Sequence, residues 1–561
     1  MKTIRLLLAL CATLLVLNTQ AQSDITRRLV EEIIEEKTKG ITIRSSNRDN
    51  EDIGVGAEPF IHQSKFDSNL MGIAYMGTAA NWELSLSNDG GSSWTLANLN
   101  TIDLLTEVQP NSQLLGGGDP NLVIDENNTI HLTFIYLFLP EGGDITNQSD
   151  FVLEVFYAYS DDFGVTWTAG ESLVSGTLDQ NDSGFVDRTW MDIDANQNIY
   201  CGGTHFSSNS ETGDQGTIVF KKEDGNLSFN QMAETAIPVP SANAQTQFTN
   251  VVVDEMGQVH VSGILITPSS ESIVYSKSDA NGENYAEHIE IASSVGIPES
   301  TEVHSRENSA ASLAVDGENV YIAWSDFQDG DVLGYYVYSH DGGETFSSPI
   351  SIGDLFSGDA YHIVMPCIAA DDGHMVLTWH TVNKTTLEGQ YIAAYSDDLG
   401  ETLSSGYYNV SDDFTSFSDF GLTSFLGDYN SIKMDGSIAH IAWCDAQSSS
   451  EPRVYYTALD FNIASTSIAE IQPLSNQLEL LKLYPNPAIE NLNIAINNTT
   501  ANSLSIQIIS SEGKLISTQI VKLTQGENKI KLDTSKLPKG FYQLKMANNN
   551  GYVITKKISK L

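Results

Sequence analysis

The sequence SDDFGVTW, residues 160–167, is spelled Ser-x-Asp-x-Gly-x-Thr-Trp, and this spelling recurs along the chain. Further copies are SNDGGSSW at 87–94, SHDGGETF at 339–346 and SDDLGETL at 396–403. Each copy follows an alternating apolar run, which predicts a strand. The Asp carboxylate accepts N–H bonds inside a turn, and Gly supplies the dihedral angles that the turn needs. Each copy therefore predicts the turn of a β-hairpin, with an aromatic or apolar residue packed beneath it.

A second repeat runs in step with the first: an apolar strand, a turn that contains an aspartate, and another apolar strand. NLVIDENNTIHLTF and SLAVDGENVYIAW are two examples. The turn aspartates are Asp67, Asp125, Asp194, Asp254, Asp316, Asp371 and Asp435. A period of about 60 residues with four strands in each unit is typical of a β-propeller. Because the unit occurs seven times, we predict an all-β protein with seven blades.

The Ser-x-Asp-x-Gly-x-Thr-Trp copies resemble the Asp box, or BNR repeat, of sialidase-like β-propellers. This resemblance implies a propeller whose Asp boxes lie away from the face that carries the active site. Sialidases have six blades, so six is the alternative to seven. The resemblance also implies an Arg-Ile-Pro motif before the first inner strand. Here that place reads Glu58-Pro-Phe-Ile61, without an arginine, and we do not expect authentic sialidase activity.

The amino-terminal residues have the features of a secretory signal peptide, which we predict at 1–21. Lys2 and Arg5 precede an apolar stretch at 6–17 that is too short for a membrane span. Residues 22–45 contain a helical pattern at 25–37 and a short apolar segment, Ile41–Arg44. That segment is available to close the last blade, which otherwise has three strands. We predict the propeller at 46–461.

The carboxyl-terminal residues differ in composition from the repeats. We predict a linker at 462–481, followed by short alternating strands that favour a small β-sandwich at 482–561. The sequences YPNP at 484–487 and LPKGFY at 537–542, with the basic end Lys556-Lys557, resemble the C-terminal sorting domain of type IX secretion cargo. The resemblance implies passage through the periplasm to the outer cell surface or the medium, with the type IX machinery as a partner.

Charge and cysteine content restrict the partners of the protein. The net charge is -45, and residues 482–561, with eleven Lys and four acids, contribute +7, so the remainder carries -52. Such an acidic body repels nucleic acid and anionic membranes. We predict a monomer, and buried free thiols at Cys201, Cys367 and Cys444. No cofactor is required, although a ring of carboxylates leaves Ca²⁺ open.

Residues for chemistry are selected by propeller geometry. The central pocket is lined by residues just before each first strand and just after each second strand, because the turns between them lie on the opposite face. Glu58 holds one such place. The candidate catalytic residues are Asp119, Asp187, His205, His380, Asp428 and Tyr429. The candidate substrate-binding residues are Arg188, Arg306, Asp326 and Asp445.

These residue types suit two reactions on sugars. Paired carboxylates serve a glycoside hydrolase, whereas a polysaccharide lyase needs a cation beside a uronate carboxylate and a His or Tyr as base. We therefore predict a secreted propeller that acts on or binds extracellular glycans, with Arg188 as the best contact for a substrate carboxylate. The alternative is a non-catalytic surface propeller that binds protein or matrix, with these residues structural.

Overall fold

The chain divides into two compact units, Met1–Phe461 and Asn462–Leu561, in a computed structural model. The structure describes residues 42–45, 50–461 and 478–560, with gaps inside these ranges, the longest at 178–184, 207–215, 294–310, 354–360 and 418–425. The predicted signal peptide and the predicted helix at 25–37 lie outside the described residues. No helix in the described part of the chain is long and apolar enough to cross a membrane.

The described part of the first unit starts with two short strands, β1 (Thr42–Ser45) and β2 (Glu51–Val55), and then forms sheets of at least four strands. Sheets 1 to 4 contain β3 (Ala57–Gln63), β4 (Met71–Met76), β5 (Trp82–Ser87) and β6 (Thr95–Leu96); β7 (Gln113–Ile124), β8 (Ile130–Leu139), β9 (Val152–Ser160), β10 (Thr168–Ala169) and β11 (Val174–Thr177); β12 (Phe185–Ile193), β13 (Ile199–Phe206), β14 (Gly216–Lys222), β15 (Asn230–Gln231) and β16 (Ile237–Pro238); and β17 (Gln245–Val253), β18 (Val259–Ile266), β19 (Glu271–Lys277) and β20 (Ile289–Ser293).

Sheets 5 to 7 complete the described part of this unit. They contain β21 (Ser312–Asp316), β22 (Asn319–Gln328), β23 (Asp331–Ser339) and β24 (Ile350–Ser351); β25 (Tyr361–Asp371), β26 (His374–Asn383), β27 (Glu388–Ser396), β28 (Gly406–Asn409) and β29 (Thr415–Ser416); and β30 (Ser431–Asp435), β31 (Ile438–Asp445) and β32 (Arg453–Asp460). One helix, α1 (Thr101–Val108), connects sheets 1 and 2, and a 3₁₀ turn at Gln148–Asp150 precedes β9.

The first strands of the sheets contact one another in a closed ring, in the order β3, β7, β12, β17, β21, β25, β30 and back to β3. Within each sheet the following strands pair outward and antiparallel. This arrangement is a β-propeller. The predicted repeat of strand, aspartate turn and strand corresponds to the two innermost strands of each sheet.

Aromatic and aliphatic side chains fill the space between neighbouring sheets. Between sheets 1 and 2, the rings of Trp82 and Phe134 lie 4.1 Å apart, and both side chains are buried. Burial of such a side chain contributes roughly 1.5–3 kcal/mol. The predicted free thiols are confirmed, because Cys201, Cys367 and Cys444 are free and buried.

The strand that completes sheet 7 corrects one expectation. Ile41–Arg44 was the expected closing strand, but β1 instead lies parallel to β28 at the edge of sheet 6. Sheet 7 is completed by β2, which pairs antiparallel with β32. A single residue, Gly56, separates β2 from β3, and its N–H donates to the carbonyl of Pro452. The segment directly before β3 in the sequence is therefore the one that lies beside the open edge of sheet 7.

The Ser-x-Asp-x-Gly copies form turns between the third and fourth strands of sheets 1, 2, 5 and 6. At Asp162, Oδ1 accepts from the N–H of Thr166 at 2.8 Å and from the hydroxyl of Ser160 at 2.8 Å, and Oδ2 accepts the Thr166 hydroxyl at 2.6 Å. The same three bonds form at Asp89, Asp341 and Asp398. These aspartates are therefore satisfied by their own turns.

Five of the seven aspartates between first and second strands divide into two groups. Asp125, Asp194 and Asp254 each accept two backbone N–H bonds within their own turn. Asp316 and Asp371 instead accept from the backbone of the next sheet's turn, at Gly373 (2.8 Å) and Gly436 (2.6 Å) respectively. The second group thus connects neighbouring sheets.

The second unit contains two antiparallel sheets that share one hydrophobic cluster. Their strands are β33 (Leu478–Tyr484), β34 (Asn491–Asn498) and β37 (Gly526–Asp533) in one sheet, and β35 (Asn502–Ser510), β36 (Leu515–Leu523), β38 (Gly540–Asn548) and β39 (Val553–Lys560) in the other. Leu492 and Ile494 from the first sheet and Ile506 and Leu544 from the second are buried in this cluster. The first strand begins inside the segment that the sequence suggested as linker.

Candidate functional site

A repeated backbone irregularity occurs near the start of the first strands. In sheets 1, 2, 3, 4 and 6 the register with the second strand shifts at this point. At each shift one non-glycine residue has a positive φ: Glu58 (54°), Asp119 (45°), Arg188 (54°), Phe248 (57°) and Met365 (53°). Such dihedrals are costly for non-glycine residues, and bulges redirect side chains. The same position in five sheets thus presents a side chain at one end of the ring.

Arg188 lies at the centre of the contacts at this end. Its Nη2 atom is 2.7 Å from Oδ2 of Asp428, and the two side chains are 16% and 4% exposed. Its guanidinium carbon lies 4.0 Å from the centre of the Phe248 ring. Its backbone N–H donates to Oδ2 of Asp119 at 3.2 Å and to Oδ1 of Asp187 at 3.0 Å. One residue therefore connects groups from sheets 2, 4 and 7.

Glu58 joins the same cluster from sheet 1. Its Oε1 accepts the N–H of Asp428 at 3.0 Å. Gly427 makes this approach feasible, since a Cβ there would lie 2.5 Å from Cγ of Glu58 and its φ is 101°. We call Glu58, Asp119, Asp187, Arg188, Asp428 and Tyr429 the axial cluster.

The axial cluster alters the protonation of Asp119. Burial, followed by the negative charges of Glu58 and Asp187, raises the pKa of Asp119 well above its usual value. A hydrogen bond with the Asp187 side chain acts in the same direction. The positive charge of Arg188 opposes these effects but does not cancel them. Asp119 is therefore a carboxyl group that retains its proton at a pH where ordinary aspartates have lost theirs.

Tyr429 is a buried member of the axial cluster. The side chain is 6% exposed, and its ring meets that of Trp190 edge-on at 5.5 Å. Burial, followed by the charges of Asp119 and Glu58, raises the pKa of Tyr429 well above 10, so its phenol stays neutral. Among the described residues, neither its hydroxyl nor Nη1 of Arg188 has a hydrogen-bond partner. Two donors are thus available beside the carboxyl groups.

Other candidates lie apart from these contacts. His380 is fully buried, its ring lies against Tyr391 and Phe417, and burial lowers its pKa to about 3. Asp326 accepts from Gln328 at 2.6 Å, and Asp445 accepts from the Trp443 indole at 3.2 Å.

Two residues predicted from the sequence remain, His205 and Arg306. His205 lies opposite Val186 in the β12–β13 pair, next to the register position of Asp187. Its register position is therefore adjacent to that of a member of the axial cluster. Arg306 lies outside the described residues.

Two members of this end of the ring were missed by the sequence reasoning, namely Phe248 and Met365. The sequence contains a signal for Met365 but not for Phe248. Proline follows the positive-φ residue at Glu58-Pro59, Asp119-Pro120 and Met365-Pro366. Proline inside a strand is confined to edges and bulges, so this dipeptide marks the irregularity. Phe248 is followed by threonine and has no such mark.

No group of three His, Cys, Asp or Glu side chains in the described part of the chain is arranged to hold a metal ion. The described residues thus offer no candidate for the Ca²⁺ that the sequence left open. The axial cluster is instead an arrangement of carboxyl groups, one guanidinium and one phenol, which suits proton transfer and the binding of hydroxyl or carboxylate groups.

Comparison with known proteins identifies the carboxyl-terminal unit. Residues 482–560 match the secretion system C-terminal sorting domain. The protein is secreted. This domain directs it through the type IX system to the cell surface or the extracellular space, as the sequence predicted. No curated protein matches the chain.

Solved structures similar to the chain include a polysaccharide lyase of family PL25, an ulvan lyase, with 12% identity and a TM-score of 0.43, covering 75% of this chain and 100% of that one. An α-L-arabinanase of Penicillium chrysogenum has 13% identity and a TM-score of 0.38, covering 75% and 98%. A Dyadobacter fermentans protein of unknown function has 17% identity and a TM-score of 0.38, covering 61% and 94%. Similarity at this level carries no functional argument.

Proposed function

We propose that the protein is an extracellular glycan-degrading enzyme whose active site is the axial cluster. The observation that carries this proposal is the buried Asp119 carboxyl group, which accepts the N–H of Arg188 while the Arg188 side chain pairs with Asp428 at 2.7 Å. Burial and the charges of Glu58 and Asp187 raise the pKa of Asp119. Two carboxyl groups kept in different protonation states are what glycoside hydrolysis needs. The sorting domain supports an extracellular substrate.

In the proposed reaction Asp119 donates its proton to the glycosidic oxygen as the bond from that oxygen to the anomeric carbon breaks. The Asp428 carboxylate acts on the opposite side and takes a proton from the water that attacks the anomeric carbon. Arg188 holds Asp428 in place and presents Nη1 to an acidic group of the sugar. Tyr429 donates a hydrogen bond rather than acting as base, because its phenol is neutral.

A polysaccharide lyase is the second candidate. Arg188 favours it, since a guanidinium with one nitrogen lacking a described partner suits a uronate carboxylate. The lyase needs a base for the α-proton. The raised pKa of Tyr429 opposes that role for the phenol, which leaves His205, one register position from Asp187, as the candidate base. A hydrolase uses a carboxyl group of raised pKa, such as Asp119, as its acid, so we place it first.

We also propose the architecture in finer detail. The seven sheets are the blades of a sialidase-like, seven-bladed propeller at 46–461, and the second unit is a β-sandwich at 482–561. The signal peptide occupies 1–21, the amino-terminal segment 22–45 and the linker 462–481. The bonds repeated at Asp89, Asp162, Asp341 and Asp398 support the Asp-box assignment. We propose a monomer.

The test is a screen of the purified protein against neutral and acidic polysaccharides and sialosides. Products are read both as new reducing ends and as the ultraviolet absorbance of an unsaturated uronate. Reducing ends without that absorbance indicate the hydrolase, and both together indicate the lyase. Binding without products would overturn both in favour of the non-catalytic propeller. Asp341→Asn is the matched control for substitutions in the cluster, because Asp341 lies in a distant turn.

A further inference from the structure

A second set of polar groups lies at the other end of the first strands, where the aspartate turns meet. A cavity of about 670 Å³ is located there, lined by residues of sheets 1, 3, 4, 5, 6 and 7. It contains His62, Lys65, Asp192 and Lys433 together with turn aspartates of several sheets. None of these residues belongs to the axial cluster.

Lys65 and Asp192 neutralise each other across the ring. Nζ of Lys65 lies 3.0 Å from Oδ1 of Asp192 and donates to the carbonyl of Ile193 at 2.7 Å. Oδ2 of Asp192 also accepts the N–H of Val253 at 2.8 Å. This carboxylate is therefore satisfied, and the pair adds no net charge to the cavity.

Lys433 and His62 remain as groups without such partners. No hydrogen bond or ion pair of Lys433 occurs among the described residues, and burial lowers its pKa. His62 is 1% exposed, and neither of its ring nitrogens has a hydrogen-bond partner in the described structure. Burial, followed by the charge of Lys433, lowers the pKa of His62 to about 3, so the ring is neutral. A cation that Asp192 attracts without a direct ion pair and a buried neutral imidazole thus line the same cavity.

The turns around this cavity have the opposite charge. Asp316, Asp371 and Asp435 line it from sheets 5, 6 and 7. Burial, followed by the charges of Asp316 and Asp435, raises the pKa of Asp371, which places the three carboxylates within mutual influence. A positive group among them would relieve this repulsion. Groups of both charges therefore line the cavity.

We propose that this cavity binds a small amino carboxylate. The ligand's carboxylate contacts Lys433 and the N–H of the neutral His62 ring, and its ammonium group lies among Asp316, Asp371 and Asp435. A simple anion is disfavoured because it must pass the acidic turns, and a simple cation makes no favourable contact with Lys433. The site is independent of the proposed glycan chemistry.

Isothermal titration of the mature protein with glycine, γ-aminobutyrate and ε-aminocaproate tests this proposal. At least one of the three is expected to bind, and butyrate and butylamine are expected to bind at least about tenfold more weakly, because each makes only one of the two charged contacts. Absence of binding by all three would overturn the proposal. Butyrate binding as tightly as the amino carboxylates would overturn the assignment of the cation site.

Variants then test which residues contact the carboxylate and the ammonium group of the ligand. Lys433→Met is expected to weaken binding of the best amino carboxylate about tenfold or more, and Asp371→Asn to weaken it without affecting butyrate. Lys384→Met is the matched control, because Lys384 pairs with Asp331 and does not line the cavity. Unchanged binding in folded Lys433→Met would contradict the proposal. If that variant does not fold, the titration of the unaltered protein still decides.

Discussion

Arg188 and Asp428 come from sheets 3 and 7, which are not neighbours in the ring, yet Nη2 of one lies 2.7 Å from Oδ2 of the other. The ion pair therefore crosses one end of the ring. Lys65 and Asp192 form a similar pair at the other end, between sheets 1 and 3. The sequence predicted that Arg188 contacts a substrate carboxylate. In the structure its guanidinium pairs with Asp428, and its backbone N–H donates to Asp119.

Arg188→Ala should reduce the free energy of unfolding by about 3 kcal/mol, because it leaves the Asp428 carboxylate buried without its cation. The control is Arg453→Ala, whose exposed pair with Asp52 is expected to contribute at most about 1 kcal/mol. Denaturant unfolding of both variants measures the difference. An equal, small effect in the two would show that the ion pair across the ring has no structural role.

The double variant Arg188→Ala/Asp428→Ala separates the pair from its neighbours. Its destabilisation should be less than the sum of the two single changes, because removing both charges leaves no uncompensated carboxylate. Strict additivity would contradict a direct interaction between the two side chains.

Asp119→Asn should raise the melting temperature at neutral pH. The pKa of Asp119 is higher in the folded protein than its ordinary value of 3.8, so the folded state pays a cost when the group ionises. The stabilising contribution of the proton is complete below about pH 3.8 and is lost as the pH rises through the folded pKa. The advantage of the variant should therefore shrink toward zero as melting curves are recorded at decreasing pH. A variant less stable than the original at every pH would refute the raised pKa.

Asp162→Ala should lower the melting temperature and leave turnover by the folded protein unchanged. The Thr166 hydroxyl and N–H lower the pKa of Asp162 to about 2. The stabilisation is present above the ordinary value of 3.8 and is lost as the pH falls toward 2. Asp161→Ala is the control. It removes an equal charge but breaks a single described hydrogen bond, which the Thr129 hydroxyl donates. Loss of turnover without a change in melting would contradict the assignment of this turn to structure alone.

Deletion of the residues before Gly56 should destabilise the first unit strongly. The deletion removes β2, exposing the edge of β32 and the Arg453 side chain that Asp52 holds at 2.8–3.0 Å. A chain that begins at Asn50 keeps β2 and, of the strands that the structure describes, loses β1. Thermal melting should show a larger decrease for the first truncation than for the second. Identical melting of the two truncations would show that β2 does not complete sheet 7.

The fold was largely predictable because two periodic patterns specify it. The apolar runs around Asp125 or Asp316 fix pairs of strands, and the Ser-x-Asp-x-Gly turns fix the next pair. The amino-terminal strands were assigned less well. Ile41–Arg44 is apolar, whereas Glu51–Val55 begins with two acids, so the apolar pattern favoured the wrong closing strand. The pairing of β2 depends on its position beside β3, which is a tertiary property.

The site was predictable where position along a strand determines it. Asp119, Asp187, Arg188, Asp428 and Tyr429 were all selected as lying just before or at the start of a first strand, and the structure brings them together. His380 was selected as lying just after a second strand, but it lies inside β26 and neighbouring aromatic rings cover it. The pairing of Arg188 with Asp428 was not foreseeable, because residues far apart in sequence meet only when the ring closes.

Turnover of a polysaccharide by Asp119→Asn tests the central claim most directly. A substrate that the unaltered protein degrades is incubated with this variant and with Asp341→Asn, and reducing ends are measured across a range of pH. Loss of the acid should lower the rate about 100-fold or more, while Asp341→Asn keeps the original rate per folded molecule. The melting temperature of Asp119→Asn should be no lower than that of the original protein. Unchanged turnover by folded Asp119→Asn would contradict the account.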